Sequence, residues 1–298
     1  MKAILFHLTV LFIRLKGYKK MFSHDPMWYE KFRKDDVFEA PKKLRKAFQV
    51  RDFQIAETKV TEVAPKDSTS DQVVLFVHGG AMIGGPGQHH WDSMQYMVKK
   101  TGVKFWLINY PKAPEHKITQ IGQNIDAVYA EARKTHEPSQ ILLMGDSAGG
   151  NLILTLTQRL IKNGEQPPKA LIPITPAVDV TFTNEAIDLL DKRDPLLSKV
   201  GVLSTANMSS GGVDLADPMM SPINGSFEKF PKTLMFIAGR DILYPDAKVA
   251  AYEMKKAGVP IEVIDETRMI HIWPLMPVMR EAKEALNKIC DFINQNKR

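Results

Sequence analysis

The clearest chemical potential in the chain lies at residues 145–150, Gly-Asp-Ser-Ala-Gly-Gly. An apolar run precedes them and a run with helical spacing follows. Ser147 is therefore read at a strand-to-helix turn, where glycines permit a tight bend that leaves the hydroxyl exposed as a nucleophile. A serine hydroxyl reacts only when a base takes its proton, and the imidazole that does so is oriented by a carboxylate. The bases on offer are His7, His24, His78, His89, His90, His116, His136 and His271. Acyl transfer also needs amide donors for the negative oxygen of a tetrahedral intermediate. His78-Gly79-Gly80-Ala81, directly after another apolar run, supplies small residues suited to that task. The glycine-rich stretch onward to Gly87 is not followed by the Gly-Lys-Ser/Thr of a phosphate cradle.

These residues need a scaffold, and the chain beyond residue 50 repeats one theme. Short apolar runs at 72–78, 104–110, 140–145, 169–175, 233–239 and 261–265 are bounded by Gly, Pro or Asp and are rich in β-branched or aromatic residues. Such runs suit strands buried on both faces, as in a parallel sheet covered by helices. Between them, residues 88–100, 122–134, 151–162, 245–257 and 278–294 have helical spacing, and Gly164 and Gly258 fall just past two helix ends. Residues 51–63 alternate polar with apolar like an antiparallel edge hairpin, and 65–71 is a turn. The stretch 178–230, rich in Asp, Ser, Gly and Pro, breaks the alternation and reads as an insertion. The predicted class is α/β with a mostly parallel sheet.

A strand, a Gly-x-Ser-x-Gly turn and a helix in that order make the nucleophile elbow of α/β-hydrolases, in which the acid and then the histidine follow the serine. Of the eight histidines only His271 lies after Ser147, in a loop beyond the last expected strand. Asp241 follows the run at 233–239 immediately and is the expected acid, with Asp246 as a supporting or helix-capping carboxylate. The oxyanion donors are expected from the backbone NH groups of Gly80 and of Gly79 or Ala81, joined by that of Ala148.

Taken together, these motifs resemble the hormone-sensitive-lipase-like branch of the α/β-hydrolase fold, bacterial carboxylesterases that carry an HGGG-type oxyanion motif and GDSAGG. The resemblance covers about residues 70–290. His78 to Ala81 is similar to HGGG, and Asn109-Tyr110-Pro111-Lys112-Ala113-Pro114-Glu115-His116 is similar to YRLAPEH. Asp241-Ile242-Leu243-Tyr244-Pro245-Asp246 resembles the family's DPLxDE segment, whose first aspartate is catalytic, and His271 falls where the family places its histidine. Ala81 replaces the third glycine of HGGG and resists positive φ, so a differently shaped oxyanion loop is expected. Ile272 replaces a glycine that often follows the histidine. The resemblance implies cofactor-free hydrolysis of small, short-acyl carboxylic esters, without a metal. It also implies a helical cap built from residues 1–50 and the insertion at 178–230 over a body of residues 51–298. Amide or peptide cleavage and membrane-associated lipolysis use the same groups, and a non-catalytic binding protein on this scaffold would have no need of a complete set of them.

Other residues have plainer readings. Glu115 and His116 stabilise a turn, and His89-His90 is a solvated loop because adjacent side chains diverge. Met82, Ile83, Met219, Met220 and Trp273 flank the expected site and are candidates for an acyl pocket, with ordinary core as the competing reading. The single cysteine, Cys290, allows neither an internal disulfide nor a thiolate zinc cage, which points to a reducing, cytoplasmic setting.

The net charge of +6 is unevenly placed: residues 1–50 hold twelve Lys and Arg against five Asp and Glu, and the remainder is close to neutral. Nucleic acid is not an expected partner, because phosphate tracking needs a basic face on the folded body itself. Residues 3–13 are almost wholly apolar and are followed by Arg14, Lys16, Lys19 and Lys20. Eleven residues span only about half of a hydrocarbon core, and 14–22 offers no small-residue cleavage site. Residues 1–20 are read as a helix packed within the cap, with peripheral contact to an anionic membrane as the alternative.

Overall fold

The computed structural model describes residues 2–67, 70–276 and 278–297, of residues 2–4 the backbone alone. Ser68 and Thr69, inside the expected turn at 65–71, lie outside the described residues. The alternation at 51–63 forms an antiparallel hairpin, β1 (Gln49–Ile55) and β2 (Thr58–Ala64), with Phe53 opposite Val60. The apolar runs follow as β3 (Val73–Val77), β4 (Lys104–Asn109), β5 (Ile141–Asp146), β6 (Ala170–Ile174), β7 (Lys232–Ala238) and β8 (Ile261–Glu266). One sheet results, in the order β1-β2-β4-β3-β5-β6-β7-β8, antiparallel as far as β4 and parallel beyond it.

Two-residue periodicity splits the sheet into two cores. Leu75, Leu143, Leu171 and Met235 face one side; Phe76, Met144, Ile172 and Phe236 face the other. The first side is covered by α6 (Ile118–Arg133), α7 (Ala148–Lys162) and α10 (Tyr244–Lys256), the second by α5 (Gln88–Thr101) and α11 (Arg280–Gln295). Two helices start a turn earlier than their spacing suggests. In α6 the Gln120 side chain accepts from the Lys117 NH and holds the first turn. In α7 the glycines 149 and 150 are helical rather than part of the turn.

Residues 1–50 form α1 (Lys2–Lys16), α2 (Tyr18–Met21), α3 (Tyr29–Phe32) and α4 (Lys42–Ala47). Residues 178–230 contribute α8 (Ala186–Asp191) and α9 (Lys199–Ser210). The two segments bind each other. Lys19 donates to the Asp191 carboxylate at 2.6 Å and to the Leu197 carbonyl, and the Met27 NH donates to Ser204 Oγ at 3.0 Å. Gly201 lies so close to the Phe22 backbone that a Cβ there would sit 2.1 Å from its carbonyl oxygen. No helix among the described residues is long and apolar enough to cross a membrane.

Candidate active site

Ser147 links β5 to α7 at φ 52° and ψ −119°, a conformation that in a non-glycine residue stores about 1–3 kcal/mol. Its NH is tied to the Ile174 carbonyl of the neighbouring strand at 2.9 Å, and its carbonyl receives the NH of Asn151. Gly149 is required for close approach: a Cβ there would lie 2.0 Å from the Val77 carbonyl oxygen. The glycines thus let α7 press against β3, and the strain of the turn falls on the serine itself. Asn151 Nδ2 donates to the carbonyls of Ala177 and Met220, both at 2.7 Å, and so fastens the start of α7 to the chain on either side of α8 and α9.

His271 and Asp241 meet on the loops after β8 and β7. Their Nδ1 and Oδ2 atoms are 2.6 Å apart and both side chains are almost wholly buried. The other carboxylate oxygen of Asp241 accepts the Leu243 NH at 2.9 Å. Burial disfavours the imidazolium, but the charge and hydrogen bond of Asp241 outweigh it, so the His271 pKa stands above the ordinary 6.5. Ile272 adopts φ 50°, unusual for a β-branched residue, and its NH donates to Thr175 Oγ1 at 3.2 Å. Ser147 and His271 line the same cavity, with no hydrogen bond between them in this conformation. Asp246 makes no bond to His271 among the described residues. It sits in the first turn of α10, whose N-cap is Leu243, and accepts from Asn184 Nδ2 at 2.7 Å.

Asp194, which the sequence reading passed over, belongs to this group. Its Oδ1 accepts the NH groups of Leu196 and Leu197, and its Oδ2 accepts the NH of Ile242, next to Asp241, at 3.0 Å. Burial, with the nearby Asp241 charge second, pushes its carboxyl up to about 7. The one local signal was Asp194 before a proline in the insertion, the mark of a turn rather than of a site.

The loop at 79–84, the expected source of oxyanion donors, departs from two expectations. The Gly79 NH is taken by Asp146 Oδ1 at 3.0 Å, which leaves the NH groups of Gly80, Ala81 and Ala148 as donors without a partner among the described residues. Ala81 does enter the left-handed region, at φ 55°, and Met82 beside it at φ 60°. The turn is closed by the NH groups of Ile83 and Gly84 donating to the Gly80 carbonyl, both at 3.0 Å. Arg33 braces it from outside. Its guanidinium donates to the carbonyls of Ile83 and Ala113, both at 2.6 Å, and to both carboxylate oxygens of Glu115. Glu115 is thus held by Arg33, and His116 lies 3.3 Å from Glu57. His78 is buried and stacked on Tyr110, with ring centroids 4.5 Å apart.

The expectation that His89 and His90 diverge in solvent is overturned. The rings are 3.9 Å apart at the start of α5, His90 is buried, and ligand atoms of His89, His90 and Asp146 lie within 4.8 Å of one another. His90 Nδ1 accepts the Gly87 NH at 2.9 Å, which fixes the proton on Nε2, 3.1 Å from Asp146 Oδ1. Burial opposes ionisation of Asp146, yet His90 and the Gly79 NH outweigh it and keep its pKa low. The pair's visible work is to pin Gly79 against the elbow.

A cavity of about 760 Å³ opens over Ser147, inside the range of small-molecule sites. Met82 and Met220 line it, with Phe22, Val180, Phe182 and Leu197 from the two helical segments. Ile83, Met219 and Trp273 do not. Ile83 is core, and Trp273 packs on Phe236 at 6.0 Å on the far side of the sheet. Around the mouth stand Leu5, Leu8 and Phe12 of α1 and Val278.

Residues 74–275 match the profile of a family described as alpha/beta hydrolase fold. An esterase of Acinetobacter venetianus is 29% identical over 252 residues, which cover 82% of this chain and 81% of that protein. Esterase LipU of Mycobacterium tuberculosis is 28% identical, covering 85% and 87%. The crystal structure of an esterase from the bacterial hormone-sensitive lipase family superposes with a TM-score of 0.87 over the whole of both chains, at 24% identity, a likeness of fold.

Proposed function

The chain belongs to the α/β-hydrolase family, and from that premise we propose that it is a serine hydrolase of carboxylic esters. Ser147 is the nucleophile, His271 the general base and then acid, and Asp241 the carboxylate that orients it. Attack of Ser147 Oγ on the ester carbonyl transfers the hydroxyl proton to His271 Nε2, while the new oxyanion is received by the NH groups of Gly80, Ala81 and Ala148. Collapse expels the alcohol, which takes the proton from His271, and water then repeats the sequence on the acyl-enzyme. The Asp241 bond to Nδ1 leaves Nε2 free to face the cavity and stabilises the imidazolium that forms. In this reading residues 1–50 and the insertion at 178–230 act as a cap, and its cavity-lining side chains, Phe22, Val180, Phe182 and Leu197 among them, hold the acyl group.

The observation that carries the reading is the convergence of a strained Ser147, a buried Asp241–His271 pair and unpartnered NH groups on one apolar cavity. The names of the relatives favour esters over amides. A p-nitrophenyl acetate burst, a matched anilide and a fluorophosphonate probe test it together. The expected result is a stoichiometric burst, a much slower anilide, and probe labelling lost in Ser147→Ala, with turnover down at least about 10⁴-fold. Full activity in that variant, or preference for the anilide, would overturn the assignment.

A further inference from the structure

Among its described side chains, helix α1 is apolar on both faces, and only one of them is covered. Phe6 and Ile13 are buried against the body. Leu8, Leu11, Phe12 and Leu15, spaced i, i+3, i+4 and i+7, form a stripe on the other side and are 55%, 52%, 60% and 78% exposed. A soluble helix normally turns charged residues outward along such a stripe. Leu8 and Phe12 belong both to this stripe and to the wall of the Ser147 cavity, and Val278, 66% exposed, stands across the mouth. The open apolar face and the acyl cavity are one continuous surface.

The surrounding charge indicates what covers it. Residues 1–24 hold no acidic residue; Lys16 at the end of α1 is paired with Asp35 at 3.1 Å, whereas Arg14 before it and Lys20 after it have no acidic partner among the described residues. Apolar side chains flanked by cations on a helix that lies flat fit the interface of an anionic bilayer. A neutral protein partner would have no use for that excess. We propose that α1 docks on an anionic lipid surface and that the cavity takes its substrate, a long-chain acyl ester, from that surface. This rests on the ester-hydrolase reading and names its substrate class. The packed cap helix and the membrane contact, opposed in the sequence reading, are two faces of the same helix.

The test uses the full chain with vesicles of phosphatidylglycerol or phosphatidylcholine, and two esters: p-nitrophenyl acetate in solution and a palmitoyl ester embedded in the vesicles. Leu11→Ser with Leu15→Ser alters the stripe without touching the cavity wall, and Arg14→Glu with Lys20→Glu alters the charge. The wild type should sediment with phosphatidylglycerol at least tenfold more tightly than with phosphatidylcholine, each cation near the surface being worth about fivefold. Both double variants should lose at least tenfold in vesicle binding and in palmitoyl-ester hydrolysis, with acetate hydrolysis unchanged. Lack of binding to phosphatidylglycerol, equal hydrolysis of the embedded ester by all variants, or a dimer that Leu11→Ser with Leu15→Ser dissociates would overturn docking on lipid. Absence of acetate hydrolysis would instead count against the ester-hydrolase reading, and sedimentation would still decide the docking.

Discussion

Replacing Arg33 by methionine should loosen the oxyanion loop from a residue that touches no reacting atom. The guanidinium makes two 2.6 Å bonds to the backbone carbonyls of Ile83 and Ala113 and a fork to Glu115 at 2.8 and 2.7 Å. Bonds from a charged donor contribute about 1.5–3 kcal/mol each when buried. Here the side chain is a quarter exposed, so water replaces part of the loss. The Glu115 arm is half exposed and screened, and contributes about 0.5 kcal/mol. Methionine keeps apolar contact with Tyr29, over whose ring the guanidinium sits at 5.0 Å. The net destabilisation is about 2 kcal/mol, or roughly 3 °C in melting temperature for a chain of this size. Because Ile83 closes the turn that presents Gly80 and Ala81, kcat should fall about tenfold with little change in KM, a fraction of the 10²–10³ that loss of an oxyanion donor causes. Glu115→Gln is the control, with a small effect on both. Thermal melts and steady-state kinetics on p-nitrophenyl butyrate decide it. Arg33→Met with kcat within twofold of wild type, or Glu115→Gln as damaging as Arg33→Met, would refute the assignment of the brace to the backbone bonds. The pH dependence has a definite sign. The bond to Arg33 holds the Glu115 carboxyl at about 2, below its ordinary 4.5, so its share of stability is present above pH 4.5 and disappears as pH falls toward 2.

Three further outcomes are expected. His271 must be neutral to act as base, and its pKa is raised, so kcat/KM should have an acid limb above pH 6.5; Asp194→Asn, which removes one of the raising charges, should move that limb to lower pH, and an unmoved limb would separate Asp194 from the site. Ala81→Gly should raise stability by about 1 kcal/mol and the melting temperature by about 1.5 °C, read by calorimetry, because glycine adopts φ 55° without the Cβ penalty. Gly149→Ala should destabilise by at least about 3 kcal/mol, since its Cβ would meet the Val77 carbonyl oxygen at 2.0 Å. A soluble variant melting within 3 °C of wild type would contradict the close packing of α7 on β3.

What was legible in the sequence follows from how local each constraint is. Strands β3 to β7 are buried on both faces, so composition alone marks them within a residue or two. Ser147 and the order of Asp241 and His271 are legible because a parallel sheet brings the ends of its successive strands to one edge. The contacts that were missed join distant segments. Asp194 reaches the Ile242 NH across 48 positions, and Asp146 reaches Gly79 across 67. Nothing in the local pattern of either aspartate registers such a partner. His89-His90 was misread for a related reason: their pairing depends on Asp146 and on the Gly87 NH, not on the geometry of neighbouring residues. The left-handed Ala81 shows a local preference overruled by the turn that encloses it.

The bond between Met27 and Ser204 spans 177 positions, and Lys19 reaches Leu197 across 178. At roughly 5–20 residues per second, a ribosome that has made α1 to α3 needs roughly ten to thirty-five seconds to make their partner helix. In the finished fold Phe22 and Met27 are both buried, and each meets a residue of α9. The order of synthesis thus leaves Phe22 and Met27 without Gly201 and Ser204, which they meet in the finished fold, until α9 has been made.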